Sequence, residues 1–367
     1  MSEPLPRSPV AKTGLAARIL PYLYIPITLA FLLDAVLAGG AFVLRDVVTF
    51  FHPWQIAVRD AVQSGHLPLW NHDSLCGVPL LANLQSGVFY PVNWLYWILP
   101  FDAALTTGMF IHLTAAALLM RAFLRQTGLA QIASFLGGAL FAYGTWSLSH
   151  LDFPMQLGAA VWLPLVWSGV WAVMREGRAR GLVTGALGIT LSLLSGYPQM
   201  TFFGMISASL LALALVPGVL RLEGRQRLRL GAWPVMLVLA GLLSAVQIIP
   251  SRDMAAYSQK AVPYTAEVAL SRSLPPQGLA GLVDPFFLGL PGVERYWGGE
   301  IVEYAFGTFY LGAVALVWLA ASYRAFRRPL RRKRIRFEET SDEVIVPPLL
   351  AWFLAAGAFV GLVLALG

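Results

Sequence analysis

Apolar stretches of about 20 residues recur along the whole chain, and this recurrence limits the possible folds more than any other feature. A helix of that length crosses the roughly 30 Å of hydrocarbon in a bilayer. Only 12% of the residues are charged, about half the share that is typical of a soluble domain. We therefore predict an all-α, polytopic membrane protein with one transmembrane domain over residues 1–367. The stretches are nine, at approximately 19–42, 93–120, 128–149, 155–174, 181–198, 200–220, 231–250, 302–323 and 344–366.

The basic residues predict how these spans are oriented. Most of the 26 Lys and Arg residues lie at the N-terminus, in the turns after the second, fourth and sixth spans, and in the run from Arg324 to Arg336. The positive-inside rule makes these segments and the N-terminus cytoplasmic. The net charge of +7 then reports topology and gives no reason to expect a nucleic-acid partner. The run is a topology anchor or, alternatively, a contact for anionic lipid headgroups.

Two long polar segments, 45–93 and 251–300, then lie on the extracytoplasmic side. The tight turns near 150–154 and 197–199 lie there too, and so do four of the 5 histidines and most carboxylates. The cytoplasmic turns are short and contain no nucleotide-binding motif. We therefore expect the functional face to be extracytoplasmic.

The first long segment is predicted to contain an amphipathic helix in the interface plane. Pro53 suits its first turn and Gly65 its end. The apolar face would comprise Trp54, Ala57, Val58, Ala61 and Val62, opposite Gln55, Arg59, Asp60 and Gln63. The rest of the segment mixes Pro, Gly and aromatic residues, which indicates an ordered loop close to the membrane. Alternatively, most residues of this loop have no functional role and only lead the chain back into the membrane at the second span.

The single cysteine, Cys76, has no partner for a disulfide within the chain. Because the chain has only one cysteine, it also lacks a metal site formed by several cysteines.

Several short motifs together resemble the bacterial YfhO-like membrane protein family, over essentially the whole chain. They follow one another as an aspartate after the first span, GHLPLWN (65–71), GVPLLAN (77–83), FYPVNWL (89–95), HLDFPMQLGAAVWLPLVW (150–167), LSGYPQ (194–199), SAVQIIPSRDMAAYS (244–258), DPFF (284–287) and EYAFGTFYLG (303–312). The family is similar to the GT-C glycosyltransferases, which transfer a sugar from a polyprenyl-phosphate donor on the outer membrane face.

The resemblance implies a multi-pass protein of the bacterial cytoplasmic (inner) membrane. Its partners would be a polyprenyl-phosphate-linked sugar, an envelope glycopolymer or lipid acceptor, and membrane lipids. Two differences stand out. Tyr197 replaces a histidine that is common before Pro-Gln in the family, and the chain ends after its ninth apolar stretch. It is therefore either a short member or a fragment of a longer protein.

The resemblance also implies candidate catalytic residues. Asp46 matches the acid of the first outer loop and would be the general base or a metal ligand. Its alternative is a solvated aspartate at a helix end. Asp152 would be a second acid that holds metal or orients the acceptor, together with His150, or it forms a local hydrogen bond. Any metal would be a divalent ion such as Mg²⁺ or Mn²⁺, although no metal-ligand spacing is present.

Four further residues are candidates for substrate binding. Arg252 would contact the donor phosphate or is an interfacial arginine. Tyr197 and Gln199 would bind a sugar or stabilise their turn. Glu303 would serve the site or favour the start of the eighth helix.

Asp34 lies inside the first apolar stretch, where a carboxylate should face the bundle or be protonated. Together with the many helix-breaking residues, it supports a second hypothesis, a non-catalytic lipid or polymer transporter or an envelope assembly factor.

Overall fold

The computed structural model describes residues 18–40, 46–74 and 76–258, with isolated positions at 265, 280, 284, 287 and 289. The eighth and ninth predicted spans, Glu303 and most of the segment 251–300 lie outside the described residues. Within those residues the fold is all-helical. Extended backbone pairs there only at an isolated bridge between Asn71 and Val78.

Twelve α-helices follow one another along the described chain. They are α1 Tyr24–Phe31, α2 Leu33–Ala38, α3 His52–Gln63, α4 Leu95–Ile98, α5 Phe101–Gln126, α6 Gln131–Tyr143, α7 Thr145–Ser149, α8 Pro154–Ala160, α9 Leu163–Met174, α10 Arg180–Leu194, α11 Pro198–Leu220 and α12 Ala232–Ala255. Short 3-10 helices occupy Leu20–Leu23, Leu84–Ser86, Pro91–Trp94 and Gly224–Gly231, and a π-helical turn occupies Val47–Phe51.

Four helices among the described residues are long and apolar enough to cross a membrane, by length and composition. They are Phe101–Gln126, Pro154–Met174, Pro198–Leu220 and Gly224–Ala255. These helices confirm the second, fourth, sixth and seventh predicted spans as long apolar helices. The second of them is the most enclosed, with 72% of its apolar window buried against 28% for the last. The fourth predicted span is therefore the centre of the described bundle.

The first, third and fifth predicted spans are helical but shorter than predicted. The first is divided at Leu32 and ends at Gly39, which has a left-handed φ of 62°. The third breaks at Gly144, whose extended backbone separates α6 from α7. The fifth is α10, and its 15 residues reach about 22 Å at 1.5 Å per residue. Hydropathy alone does not reveal these breaks, because Gly and Leu count as apolar wherever they fall.

The turns of the bundle separate into two ends. At one end, Gln126 Nε2 donates to Glu176 Oε2 at 3.3 Å, and Gly177 lies against the guanidinium of Arg229. We call this the basic end. At the opposite end, Thr106 Oγ1 donates to the carbonyl of Gly40 at 3.0 Å, and residues 46–74 and 76–98 pack there. We call this the loop end. Consecutive long helices therefore alternate in direction, as the predicted topology requires.

The largest apolar core lies among α9, α10, α11 and α12. Glycines allow the close approach of the first two: a methyl group at Gly169 would lie 2.5 Å from Cα of Gly185. Gly181 and Gly185 are four residues apart on α10: a methyl group at Gly181 would lie 2.6 Å from the carbonyl oxygen of Gly169 on α9, and one at Gly185 would meet Sδ of Met236 on α12. Small residues at this spacing are typical of helix packing within membranes.

Candidate functional site

The loop end is built around α3, whose bounds confirm the predicted helix between Pro53 and Gly65. Its apolar side packs as predicted, because Val58 is fully buried beside Leu80 and Val88. One prediction was wrong, because Gln55 is only 1% exposed and not on a polar outer face. Its Nε2 donates to the carbonyl of Ser86 at 2.9 Å. The side chain thus fastens the helix to the second half of the loop.

The second half of the loop is fastened to two other elements. A methyl group at Gly196, in the turn before α11, would lie only 2.6 Å from the carbonyl oxygen of Leu84. Gln247 of α12 is buried, and its Nε2 donates to the carbonyl of Leu81 at 2.7 Å. The loop is ordered, as predicted. Its contacts with the bundle hold it in place, and one of them is the hydrogen bond that Gln247 donates to the backbone carbonyl of Leu81.

A single apolar cluster, which we call the loop-end cluster, joins the segments that carry the predicted site residues. It consists of Leu32, Val47, Phe51, Tyr96, Ala104, Leu105, Met109 and Met155, with Leu151 and Tyr197 among the partly buried residues around it. Val47 follows Asp46, and Leu151 precedes Asp152. The fold thus gathers the first loop, the turn after α7 and the turn before α11 around one cluster, although they are distant in sequence.

Asp46 itself is exposed at the edge of this cluster. It precedes the π-helical turn Val47–Phe51, in which Val47 and Phe51 are buried. Turns of this kind are rare and often occur at functional sites. The buried neighbours hold the backbone, and the carboxylate remains accessible to a ligand. The geometry is compatible with a general base and equally with the solvated aspartate considered above.

His150 is held by its own turn. It is 1% exposed, stacks on Trp146 with ring centroids 4.2 Å apart, and its Nδ1 lies 2.7 Å from the Trp146 carbonyl. A carbonyl only accepts, so Nδ1 carries the proton and Nε2 has the lone pair in the neutral ring. Burial lowers the pKa of His150, while the bond to the Trp146 carbonyl acts in the opposite direction. These contacts favour the local structural role for His150. Asp152, two residues later, is half-buried.

Tyr197 and Gln199 contact each other, since the tyrosine hydroxyl donates to Oε1 of Gln199 at 3.2 Å. Gly196, just before them, has a φ of 102°, and Pro198 is in the first turn of α11. This geometry supports the turn-stabilising role. Tyr197 also packs on the loop-end cluster, so its ring lines the same region as the Asp46 segment.

Arg252 is exposed near the end of α12, which extends to Ala255. The approximate span 231–250 placed Arg252 after the helix, whereas the helix continues five residues further. Pro250 lies inside the helix. One residue before Arg252, Ser251 receives a hydrogen bond from Gln247 at 3.1 Å. Arg252 therefore borders the first loop at the loop end.

Asp34 does not turn into the bundle. It lies in the first turn of α2 and is exposed. The expectation that it faces the bundle is therefore not met, and its position a few residues before Gly39 places it near the loop end.

The structure reveals a buried polar group that the sequence did not single out, which we call the Tyr90 triad. The hydroxyl of Tyr90 lies 2.6 Å from Nε2 of His112 and accepts a hydrogen bond from Nε1 of Trp162 at 3.0 Å. Tyr90 and His112 are 1% and 4% exposed. The signal was present in the sequence, since His112 is a histidine inside an otherwise apolar helix, where polar side chains are costly and usually paired.

The triad can hold a proton away from water. The Trp162 N–H can only donate, so it occupies a lone pair of the Tyr90 oxygen and leaves the tyrosine proton free to point at His112. Such a chain orders the loop and fixes the orientation of the imidazole. It also connects the loop to the middle of α5.

A metal centre has no support among the described residues, where no group of three or more His, Cys, Asp or Glu side chains comes together. A metal bound by fewer protein ligands and by donor phosphates stays a prediction from the resemblance.

The described part of the chain defines an all-helical protein with helices suited to a membrane and a polar loop packed over one end of the bundle. Comparison with models of known families, with curated proteins and with solved structures found no match to this chain. The resemblance to the YfhO-like family thus stays a prediction from the motifs.

Proposed function

We propose that the protein is a GT-C-type glycosyltransferase that moves a sugar from a polyprenyl-phosphate donor to an envelope glycopolymer or lipid acceptor. Asp46 acts as the general base or as a ligand of a divalent metal. The proposal rests on the motif resemblance and on one structural observation, that the segments carrying Asp46, Asp152 and Tyr197 meet around the loop-end cluster. The site would face the extracytoplasmic side of a bacterial inner membrane, with the basic end in the cytoplasm.

The proposed reaction exchanges one bond at the sugar C1 atom. The acceptor oxygen forms a bond to C1, the bond from C1 to the donor phosphate oxygen breaks, and the electron pair leaves with the lipid phosphate. The acceptor proton passes to the Asp46 carboxylate, which is exposed and so can reach it. The transition state has oxocarbenium character. Arg252 stabilises the charge that develops on the departing phosphate.

A lipid-borne donor suits this end of the molecule because its surface is apolar as well as charged. Trp70 and Trp94 are 48% and 45% exposed, and Leu67 is 68% exposed. Such residues favour the boundary between headgroups and hydrocarbon. The polyprenyl chain would remain in the membrane while the phosphate reaches the exposed charged residues at the loop end, Asp46 and Arg252.

The test is mass spectrometry of envelope polymers from cells that lack the gene and carry either the unchanged gene or a variant. We expect Asp46→Asn to lose one sugar modification, at least a hundredfold, as general-base removal typically gives. Asp60→Asn is the matched control, because Asp60 is also an exposed acid of the same loop. The amount of each variant in the membrane fraction is measured in parallel.

A complete modification in the Asp46→Asn strain would contradict the catalytic role of this residue. An unchanged polymer in the deletion strain would contradict the transferase itself and favour the non-catalytic transporter or assembly factor. Asp34, which supported that alternative, is exposed in the structure and so adds little to it.

A further inference from the structure

A groove of about 600 Å³ opens at the basic end, between the first helical segment and α5. It is lined by Arg18, Pro21, Tyr22, Ile25, Leu118 and Arg121. Arg121 lies 20 residues after the start of α5, which corresponds to about 30 Å along the helix. The groove is therefore far from the loop end and independent of the site described there.

Both charged residues that line the groove are basic. Arg18 and Arg121 approach it from two different segments, and none of the described residues that line it is acidic. Guanidinium groups offer several N–H donors in a planar fork that matches phosphate oxygens. Two such groups across one groove form a site for a phosphate-bearing anion.

Arg121 is held in place by one hydrogen bond, and the rest of its guanidinium has no hydrogen-bond partner among the described residues. Its Nη2 donates to Oε1 of Gln131 at 2.7 Å, which fixes the direction of the side chain. Its Nε is shielded from solvent and has no hydrogen-bond partner among the described residues. Because Nε is shielded, a ligand oxygen would bind the terminal nitrogens of this guanidinium, whose direction Gln131 fixes.

The rest of the groove is apolar, and its polarity changes with depth. Leu118 precedes Arg121 by about one helical turn, and Ile25 follows Arg18 by about two, so both lie nearer the middle of the bilayer. Their side chains are 38% and 42% exposed. Tyr22, about one helical turn after Arg18, is 69% exposed, as an aromatic residue near a membrane interface should be.

We propose that this groove binds one anionic phospholipid, with its phosphate between Arg18 and Arg121 and an acyl chain along Ile25 and Leu118. A free phosphate would use the arginines and leave the apolar part without a partner. The gradient from two cations to an apolar wall matches a headgroup followed by its chain. The proposal does not depend on the glycosyltransferase activity.

The test is native mass spectrometry of the full-length protein in detergent, titrated with phosphatidylglycerol or phosphatidylcholine. We expect preferential binding of phosphatidylglycerol, weakened about fivefold by loss of either arginine. The variants are Arg18→Gln and Arg121→Gln. Arg180→Gln is the matched control, because Arg180 is exposed at the same end, outside the groove, and its loss should leave binding unchanged.

Three results would overturn the proposal. They are equal binding of the two lipids, equal binding by Arg18→Gln and the control, and displacement of the lipid by glycerol 1-phosphate at comparable concentration. Arg121→Gln also loses the hydrogen bond to Gln131, so a misfolded Arg121→Gln variant would not count against the lipid site. Arg18→Gln leaves that contact intact and decides the question by itself.

Discussion

Replacement of Tyr90 by Phe removes one buried hydroxyl and keeps the aromatic ring, so it tests whether the Tyr90 triad fastens the loop to the bundle. The hydroxyl lies between His112, at 2.6 Å, and Trp162, at 3.0 Å. These partners belong to α5 and to the turn between α8 and α9, whereas Tyr90 belongs to the loop. Loss of the hydroxyl therefore weakens contacts between three separate segments.

The size of the effect follows from the two hydrogen bonds. A hydrogen bond between helices in a membrane contributes about 0.6 kcal/mol on average and up to about 1.7 kcal/mol. A buried donor without a partner costs about 1–3 kcal/mol. Tyr90 and His112 are 1% and 4% exposed, so water replaces the hydroxyl poorly. We expect the free energy of unfolding to fall by about 2 kcal/mol, between the average and the maximum for two such bonds.

The measurement is reversible unfolding in mixed micelles with increasing mole fraction of SDS, followed by tryptophan fluorescence. The control is Tyr96→Phe, since Tyr96 is 5% exposed and its hydroxyl has no hydrogen bond within the described part of the chain. We expect this change to lower the free energy by at most about 0.5 kcal/mol. In a double-mutant cycle, Tyr90→Phe and Trp162→Phe should couple by about 1 kcal/mol. Equal losses for Tyr90→Phe and Tyr96→Phe would refute the reasoning.

Two further substitutions test the loop end by the same unfolding assay. Gly196→Ala should lower the free energy of unfolding by about 2 kcal/mol more than Gly128→Ala. Both glycines have φ near 100°, but only at Gly196 does a methyl group meet a backbone oxygen, that of Leu84; equal losses would contradict the close contact. Burial lowers the pKa of His150 below its usual 6.5, so the native state binds that proton less readily than the unfolded chain. This group should therefore leave the free energy of unfolding unchanged above pH 6.5 and lower it as the pH falls below 6.5. The His150→Asn variant should lose that part of the pH dependence. An unchanged pH profile in the variant would show that the imidazole is not its source.

Local sequence signals predicted the elements that depend on neighbouring residues. The helix between Pro53 and Gly65 is an example, because the fixed φ of proline and the left-handed φ of glycine act on the backbone directly. A proline does not end every helix, and Pro250 lies inside α12. In a long apolar helix, neighbouring helices compensate for the missing N–H, and the helix continues.

Contacts between distant segments could not be predicted from periodicity. Gln55 looked like an outward polar residue, yet it is buried because Ser86, 31 residues away, offers it a carbonyl. His112 gave a usable signal as a polar residue in an apolar helix, but its partner Tyr90 is 22 residues away in the loop. The motif resemblance did point to the turns that meet around the loop-end cluster, although it could not say that His150 is tied to its own turn.

The short length of α10 and the depth of Tyr90 have one physical explanation. α10 spans about 22 Å, less than the roughly 30 Å of hydrocarbon, and irregular backbone at membrane depth is tolerated only where protein covers it. The loop supplies that cover, because Leu84 and Gln85 pack on Gly196, just beyond the end of α10. Tyr90 reaches His112, which is 11 residues, or about 16 Å, from the start of α5. Through Tyr90 the loop therefore packs into the bundle and does not merely cover its end.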